Sequence, residues 1–594
     1  MVASKIGTAS DTRVCMQKRV EGKTRMAKVL AARKLIYELG HSVQSQSVEK
    51  FLSADSYVPT INAFSRRLGE FKFNIFETFV VDLLHEVELG VWKSVLKHLV
   101  RVLHLNGNAT VVEFNKRFRN VPTFGTAIRK FSSDVSSMSR LAARDFEDVL
   151  QCCIPVFDGL LPNLCTESSE KLLFILAEWH GLAKLRLHTS ETLKVMKKLT
   201  VQLGSELCRF AEVTKDLDVR ETPKEYLQRR KQAEAQAALR RKVGAQSKSK
   251  IQVPENASNG RRQCELNLNT HKVHALADYV EHIQEFGTTD SYSTQISERQ
   301  HRKVKVQYSR TNGKSDTVNQ MTHINDICET LQDMKDELAR QQANTSESMP
   351  DPLAVQSLLD GSKYIIGQTD RNDDKIPRIL QWVNKQHLDD AMKFFMPQLK
   401  RHLLSCFLGG YEHANCNEGE MSQVRFLCNT MYQHKTLRIN YTSYDVQRQQ
   451  DLVTPSCFVL FPSERSIDVD NSNVPTHPFL YAKVLGIYHA NVSYRQNAPR
   501  RMDFVHVRWL YYDYGQPGGR DIFRLDCVGY EPCYSDEDNL DSFDFVDPKD
   551  IIRATHLIPD FRSGTSADFL TASHSISHDD PTEGFDWRYF YVNR

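Results

Sequence analysis

The 594-residue chain contains no apolar run approaching the roughly 20 residues needed to cross a bilayer. Its richest stretch, Leu172 to Leu176, is soon broken by Glu178, His180 and Lys184, so no membrane partner is expected. The opening string MVASKIGTASDTRVCMQKR lacks an apolar h-region, which argues against a secretory leader. Thirteen cysteines are scattered without one CxxC pair, a usage that fits reduced thiols in a cytosolic or nuclear protein. Cys406, Cys416 and Cys428 with His402 and His413 match no closed zinc spacing, so buried thiols are the plainer reading. No GxSxG, Walker-A or GxGxxG string stands between a strand and a helix, so hydrolase and nucleotide-binding readings lack support, and no small-molecule substrate is expected. The net charge is only +3, so any nucleic-acid binding must rest on local basic patches.

What is present changes character along the chain, and an α+β fold of several domains is expected at this length. Residues 1–90 begin polar and basic, turn helical through KVLAARKLIYELGHSV with Gly40 as a stop, and carry short amphipathic patterns at Val48–Leu52 and Thr60–Leu68. Phe73–Leu84 is apolar and reads as a strand end or a helix start. Residues 91–260 are patterned as helix almost throughout, with apolar residues at three- and four-residue steps in VWKSVLKHLVRVLHL and LLFILAEWHGLAKLRLH. Within them Pro223–Lys250 is charged, lacks a sustained apolar stripe and reads as an exposed helix entering a disordered loop at Gly244–Asn259. Helical pattern continues over 261–342. A linker and helices fill 343–437, with an interruption expected at Pro397. Residues 438–560 are rich in β-branched and aromatic residues between Pro, Asn and Gly turns, which predicts a small antiparallel β-domain, open or barrel-like. Residues 561–594 are expected to be a mobile tail whose aromatic end docks back.

Two strings carry candidate chemistry. In SERQHRKVKVQYSRTNGK, Glu298 stands four residues before Arg302 and His301 four before Lys305, so each pair shares a helix face. An acid among cations suits a metal on a phosphate backbone, whereas periodicity alone favours a solvated, salt-bridged helix. In VDLLHEVELGVWK, Asp82 and His85 are spaced to hydrogen-bond each other and fix a helix start. Basic clusters at Arg229–Lys231 and Arg240–Lys242 sit in the exposed stretch, and Arg302, Lys303 and Lys305 form a third, followed by Arg310 and Lys314. Leu172, Leu173, Leu176, Trp179, Leu182 and Leu185 read as core.

The segment HALADYVEHIQEFGTTDSYSTQISERQHRKVKVQYSRTNGKSDTVNQMTHI resembles the terminal core segment of fungal Plavaka-type transposases, in the CACTA-like branch of DDE enzymes with an RNase-H fold. The turn Gly287-Thr288-Thr289-Asp290 and the helix string Glu298-Arg299-Gln300-His301 carry the likeness. Asp82-Leu83-Leu84-His85 resembles the family's Asp-x-x-His signature, and LLFILAEWHGLAKLRLHTSETL its helical insertion. HPFLYAKVLGIYHANV, MDFVHVRWLYYDY and DWRYFYVNR resemble its β-rich end. The resemblance implies a partial RNase-H-like core with a large all-helical insertion, followed by helices and a small antiparallel β-rich C-terminal domain. It makes Glu298 the implied third catalytic acid and metal ligand, with Asp82 and His85 at the active site and Asp290 shaping the turn. Arg302, Lys303, Lys305, Arg310, Lys314, Arg240 and Arg241 become implied DNA contacts. A nuclear location follows from the family, a cytoplasmic one otherwise.

Such enzymes cut phosphodiesters with two Mg²⁺ held by three carboxylates. The family's first two acids precede the Asp-x-x-His signature, and none before Val81 follows an apolar strand run here. The sequence therefore reads as an N-terminally truncated transposase that lacks two of three acids, with Mg²⁺ expected only if those acids are supplied. The expected function is DNA binding at most, with DNA as partner and a homo-oligomer as the family's usual state. The alternatives are a non-catalytic host protein that uses the scaffold to bind DNA or protein, and a fragment of an active Mg²⁺-dependent enzyme from a shortened gene model.

Overall fold

The computed structural model describes residues 22–55, 57–71, 73–138, 141–243, 260–313, 316–345, 363–367, 374–409, 418–463, 477–532, 541–570, 574–580 and 584–593. The expected loop at 244–259 and most of the expected linker lie outside them. No helix among the described residues is long and apolar enough to cross a membrane.

The chain divides into two compact units. One gathers Met1–Val95, Glu178–Glu212 and Leu266–Glu298; the other gathers Leu96–Ala177, Val213–Glu265 and Arg299–Arg594. This differs from the six consecutive segments expected at 1–90, 91–260, 261–342, 343–437, 438–560 and 561–594. Composition shifts mark boundaries along the chain, whereas apolar faces pack against segments distant in sequence.

In the first unit, the helix Lys23–Tyr37 packs Val29 and Ala32 against Val48 and Leu52 of the helix Gln46–Leu52. Gly40 follows with φ +68°, a left-handed turn that glycine adopts without strain. The apolar stretch before the Asp-x-x-His string holds a single 3₁₀ turn, Ile75–Thr78, and then enters a π-helix, Leu83–Trp92. Of the two readings left open there, helix start is the observed one. A π-helix bonds each amide to the carbonyl five residues back and is rare outside functional sites. Gly90 permits it: a Cβ there would lie 2.8 Å from the carbonyl oxygen of His85, five residues earlier.

The second unit holds the sheets. Its strands are β1 Tyr364–Ile366, β2 Lys375–Pro377, β3 Val424–Phe426, β4 Thr430–His434, β5 Leu437–Thr442, β6 Arg448–Val453, β7 Phe458–Pro462 and β8 Phe479–Tyr494. They continue as β9 Arg500–Tyr512, β10 Cys527–Gly529, β11 Phe543–Val546, β12 Arg553–Pro559, β13 Thr565–Ser566, β14 Asp586–Trp587 and β15 Tyr589–Asn593. The large sheet runs β11-β9-β10-β15-β12-β7-β8-β4-β2, with β3 also on β8, and β8 pairs back with β9. The pairings β8–β9, β9–β10, β10–β15, β15–β12, β12–β7 and β7–β8 are all antiparallel and return to their start. A closed antiparallel ring results, which removes sheet edges as barrels do.

Two expectations for this region need correction. The β-region is wider than 438–560, since β1 to β4 precede it and β13 to β15 follow it. In the 561–594 segment the aromatic end does dock, as the β15 stave of the ring, but the described residues before it are not a mobile tail, since Ser575, Ser577 and His578 are buried. Its serines, acids and histidines look like tail composition, yet they are held by buried partners: Lys483 of β8, Arg508 of β9 and Asp389. The helical break also falls before Pro397, between Ile379–Asn384 and Phe395–Leu408. Pro397 sits in the first turn of the second helix, where its missing N–H costs nothing.

Candidate functional site

Asp82 and Glu298, distant in sequence, meet within the first unit. Asp82 begins the π-helix as its cap, its Oδ1 accepting from the Leu84 amide at 3.3 Å. Its Oδ2 lies 2.5 Å from His85 Nδ1 and accepts from Thr294 Oγ1 at 2.7 Å. Thr294 Oγ1 is also 3.1 Å from His85 Nδ1. Thr294 immediately precedes the helix Gln295–Ser309, and Glu298 follows in that helix's first turn. Glu298 Oε1 stands 3.6 Å from His85 Nε2. The Asp82 carboxyl is largely buried, while His85 and Glu298 are about half exposed.

Several bonds hold these segments in register. The Asp82 amide donates to Glu86 Oε2 at 3.1 Å, which also accepts from Tyr279 Oη at 3.4 Å. The Val81 amide donates to His282 Nδ1 at 3.1 Å. Thr289 is buried and donates to the Ala183 carbonyl at 2.6 Å. Beneath them Trp179 donates to Thr200 Oγ1 at 2.8 Å and packs edge-on against Tyr279, 5.0 Å between ring centres. Glu88 and His180, both buried, meet at 3.1 Å. Burial pushes the Glu86 carboxyl above its ordinary range, only partly offset by the Asp82 amide. Burial likewise raises the Tyr279 phenol, as does the nearby Glu86 charge. Tyr292 is pushed up to about 12, first by burial and then by Asp290.

Asp82 is engaged three times, by the Leu84 amide, Thr294 and His85, and the contact with His85 orients the ring. With Nδ1 turned to Asp82, Nε2 faces solvent and Glu298 Oε1. The two open groups are therefore one imidazole nitrogen and one carboxylate. This donor set does not fit a pair of Mg²⁺ ions, which prefer oxygen ligands and shed water reluctantly. Among the described residues no group of three His, Cys, Asp or Glu side chains could hold a metal ion. Cys406 Sγ does lie 3.6 Å from His402 Nε2, but His413 and Cys416 fall outside the described residues.

Lys303, Lys305 and Arg310 are exposed. The side chains of Arg302, Arg240 and Arg241, and the whole of Lys314, lie outside the described residues. The neighbouring basic cluster is less free than its composition suggests. Arg229 is bonded to Glu221 at 2.9 Å, and Arg230 reaches Glu234 at 3.3 Å. The same helix is anchored at its start by Glu225, bonded to Arg101 at 2.7 Å and to Lys97 at 2.6 Å. Burial alone would raise the Glu225 carboxyl, but these cations outweigh it and hold it at about 2.

Sequence reasoning brought forward Asp82, His85 and Glu298 but missed Thr294, Glu86, Tyr279 and His282. The Asp82–Glu86 spacing carried a signal for one of them; nothing local announces a threonine bonded to an aspartate more than two hundred residues away. Asp290 was expected to shape the turn after Gly287, yet it is exposed, and Thr289 makes the anchoring bond. Comparison of the chain with protein-family models, with curated proteins and with solved structures gives no match in any of the three.

Proposed function

We propose that this chain is a transposase-derived DNA-binding protein whose first unit keeps part of an RNase-H-like core without a complete two-metal centre. The observation that supports the reading is the meeting of Asp82, His85 and Glu298, two motifs remote in sequence that join in one solvent-facing cluster. A purely structural helix start would need Asp82 and His85 but would give Glu298 no reason to face the ring. The exposed Lys303 and Lys305, further along the Gln295–Ser309 helix, supply charge for phosphate contacts. Metal-dependent strand cleavage is not part of the proposal, because the open donors number one carboxylate and one imidazole.

The test is binding of the full chain to duplex DNA over a range of salt. Each lysine that neutralises a phosphate steepens the fall of log affinity with log salt by about 0.9, so Lys303→Ala and Lys305→Ala should each flatten it by about that much. An affinity indifferent to salt points instead to a protein partner and defeats the DNA reading. Glu298→Gln should leave DNA affinity and the absence of nicking unchanged. Mg²⁺-dependent nicking by the natural chain that is lost in Glu298→Gln would show an active enzyme and overturn the inactive reading.

A further inference from the structure

The second unit holds a cleft of about 930 Å³, a size ordinary for ligand sites. One wall is β6, the last strand of the sheet β1-β5-β6, with β5 on one edge and no strand on the other among the described residues. Gln449, Gln450, Asp451 and Leu452 all line the cleft. Successive side chains of a strand point to opposite faces, so four in a row reach one cleft only where it runs along the strand's edge. Such an open edge presents main-chain donors and acceptors to an incoming chain. The facing wall is β12, of which five consecutive residues, Arg553 to Leu557, line the cleft in the same way. β12 pairs with β7 only as far as Thr555 and with β15 only from His556. Where the walls converge, the Ala554 amide donates to Asp451 Oδ2 at 3.1 Å, so a side-chain carboxylate takes the place of a strand carbonyl.

Charge and surface decide what fits between these walls. Lys483 Nζ meets Asp579 Oδ1 at 2.8 Å and Arg553 Nε meets Asp451 Oδ2 at 3.4 Å, so the cations and carboxylates of the lining are matched. Burial lowers the His556 imidazole to about 4, against the effect of the Pro122 carbonyl it is bonded to, so the ring is neutral at pH 7. A phosphate backbone finds no surplus cation here. Apolar surface is plentiful. Phe458 and Phe590 pack 5.2 Å apart between ring centres, and Leu557 and Trp587 add to the same lining. Phe124 stacks on His556 at 5.3 Å, and Leu452 on the open edge is 55% exposed. Main-chain groups beside uncharged aromatic surface suit an extended polypeptide, whose backbone bonds the edge while alternate side chains find apolar contacts.

We propose that this cleft takes an extended, uncharged, apolar peptide segment of a partner protein, which adds as a strand to the open edge of β6. The proposal uses residues of the second unit alone and stands apart from the DNA-binding reading.

Selection of random peptides six residues long, the length of β6, against the full chain tests it. The expected result is enrichment of uncharged peptides with apolar residues at alternate positions. N-methylation of alternate residues in a selected peptide removes the N–H groups along one of its edges. One of the two alternate sets should cost at least about 10-fold in affinity. Leu452→Lys, at a position exposed enough to keep the fold, should weaken the peptide by roughly 10-fold. Leu388→Lys, at a leucine 75% exposed and outside the cleft, should leave affinity unchanged. Phe124→Ala carries the same expectation as Leu452→Lys from a separate part of the lining, and far-UV circular dichroism checks that each variant is folded. No enrichment, tolerance of both N-methylated sets, or binding unaltered in Leu452→Lys and Phe124→Ala overturns the proposal. Displacement of the peptide by an oligonucleotide would assign the cleft to nucleic acid and overturns it too.

Discussion

Two charged clusters, built from similar side chains, occupy opposite environments. Asp82, His85 and Glu298 stand partly in solvent, with one imidazole nitrogen and one carboxylate left open. Arg508, Lys483, His578, Asp579 and Asp586 lie beneath the strands of the second unit with their charges matched. Arg508 Nη1 donates to Asp586 Oδ2 at 2.8 Å, and its guanidinium lies 3.8 Å from the centre of the Tyr530 ring. Lys483 Nζ donates to the Ser577 and His578 carbonyls at 3.1 and 3.0 Å and to Asp579 Oδ1 at 2.8 Å. Burial by itself would raise the Asp586 carboxyl, but His578 and Arg508 outweigh it and hold it below the usual carboxylate range. Burial makes the second cluster a structural clamp on residues 574–580 and 584–587. Exposure leaves the first free to meet a ligand at little cost in stability.

That contrast breaks first at Asp586. Asp586→Ala leaves Arg508 charged, buried and unpaired, and should cost about 3–5 kcal/mol, read as a fall in the urea midpoint of the second unit. A change under 1 kcal/mol would show that the clamp is not what holds the segment.

The next effect is at His506, on β9. Its ring is fully buried among Phe395, Phe543 and Phe545, and neither nitrogen has a partner among the described residues. Burial lowers its pKa from 6.5 to about 3. Protons therefore bind the unfolded chain first, so this residue's contribution is intact above about pH 6.5 and is lost as pH falls toward 3. His506→Phe should stabilise by about 1–2 kcal/mol at neutral pH, by removing unpaired buried nitrogens. The gain should widen as pH falls through that window. An equal gain at every pH would show that His506 does not titrate there.

Smaller effects sharpen the other side. Asp82→Ala removes the cap of the π-helix and should cost about 1 kcal/mol. Loss of the Thr294 bond in the same variant should show as faster amide exchange at the start of the Gln295–Ser309 helix. Glu298→Gln should change stability by less than about 0.5 kcal/mol, since the group is half exposed and paired only at 3.6 Å. A large loss there would make Glu298 structural rather than functional.

The individual elements were legible where one face of local sequence is buried. FLYAKVLGIY and DFVHVRWLYYDY read as strands and are β8 and β9, and of the residues around Trp179 read as core, Leu172, Leu173, Leu176 and Trp179 are buried while Leu182 and Leu185 are half-buried. The π-helix was not legible, because LLHEVELGVW satisfies an ordinary helical period and only the approach of Gly90 to the His85 carbonyl reveals the wider turn. The tail misled because its polar residues are held by Asp389 and by Lys483 and Arg508, whose own strands read as simple hydrophobic runs.

Local sequence alone determined most of the long helices and the strands β8 and β9, which acid and histidine stand three residues apart, and which positions are apolar. These depend on neighbours within a few residues, where periodicity, capping and turn chemistry act. Tertiary structure decided that β15 completes a ring with β10 and β12, that residues 574–580 and 584–587 are clamped, and that Glu298 faces His85. Those outcomes depend on contacts between residues far apart in the chain, whose partners no local pattern names.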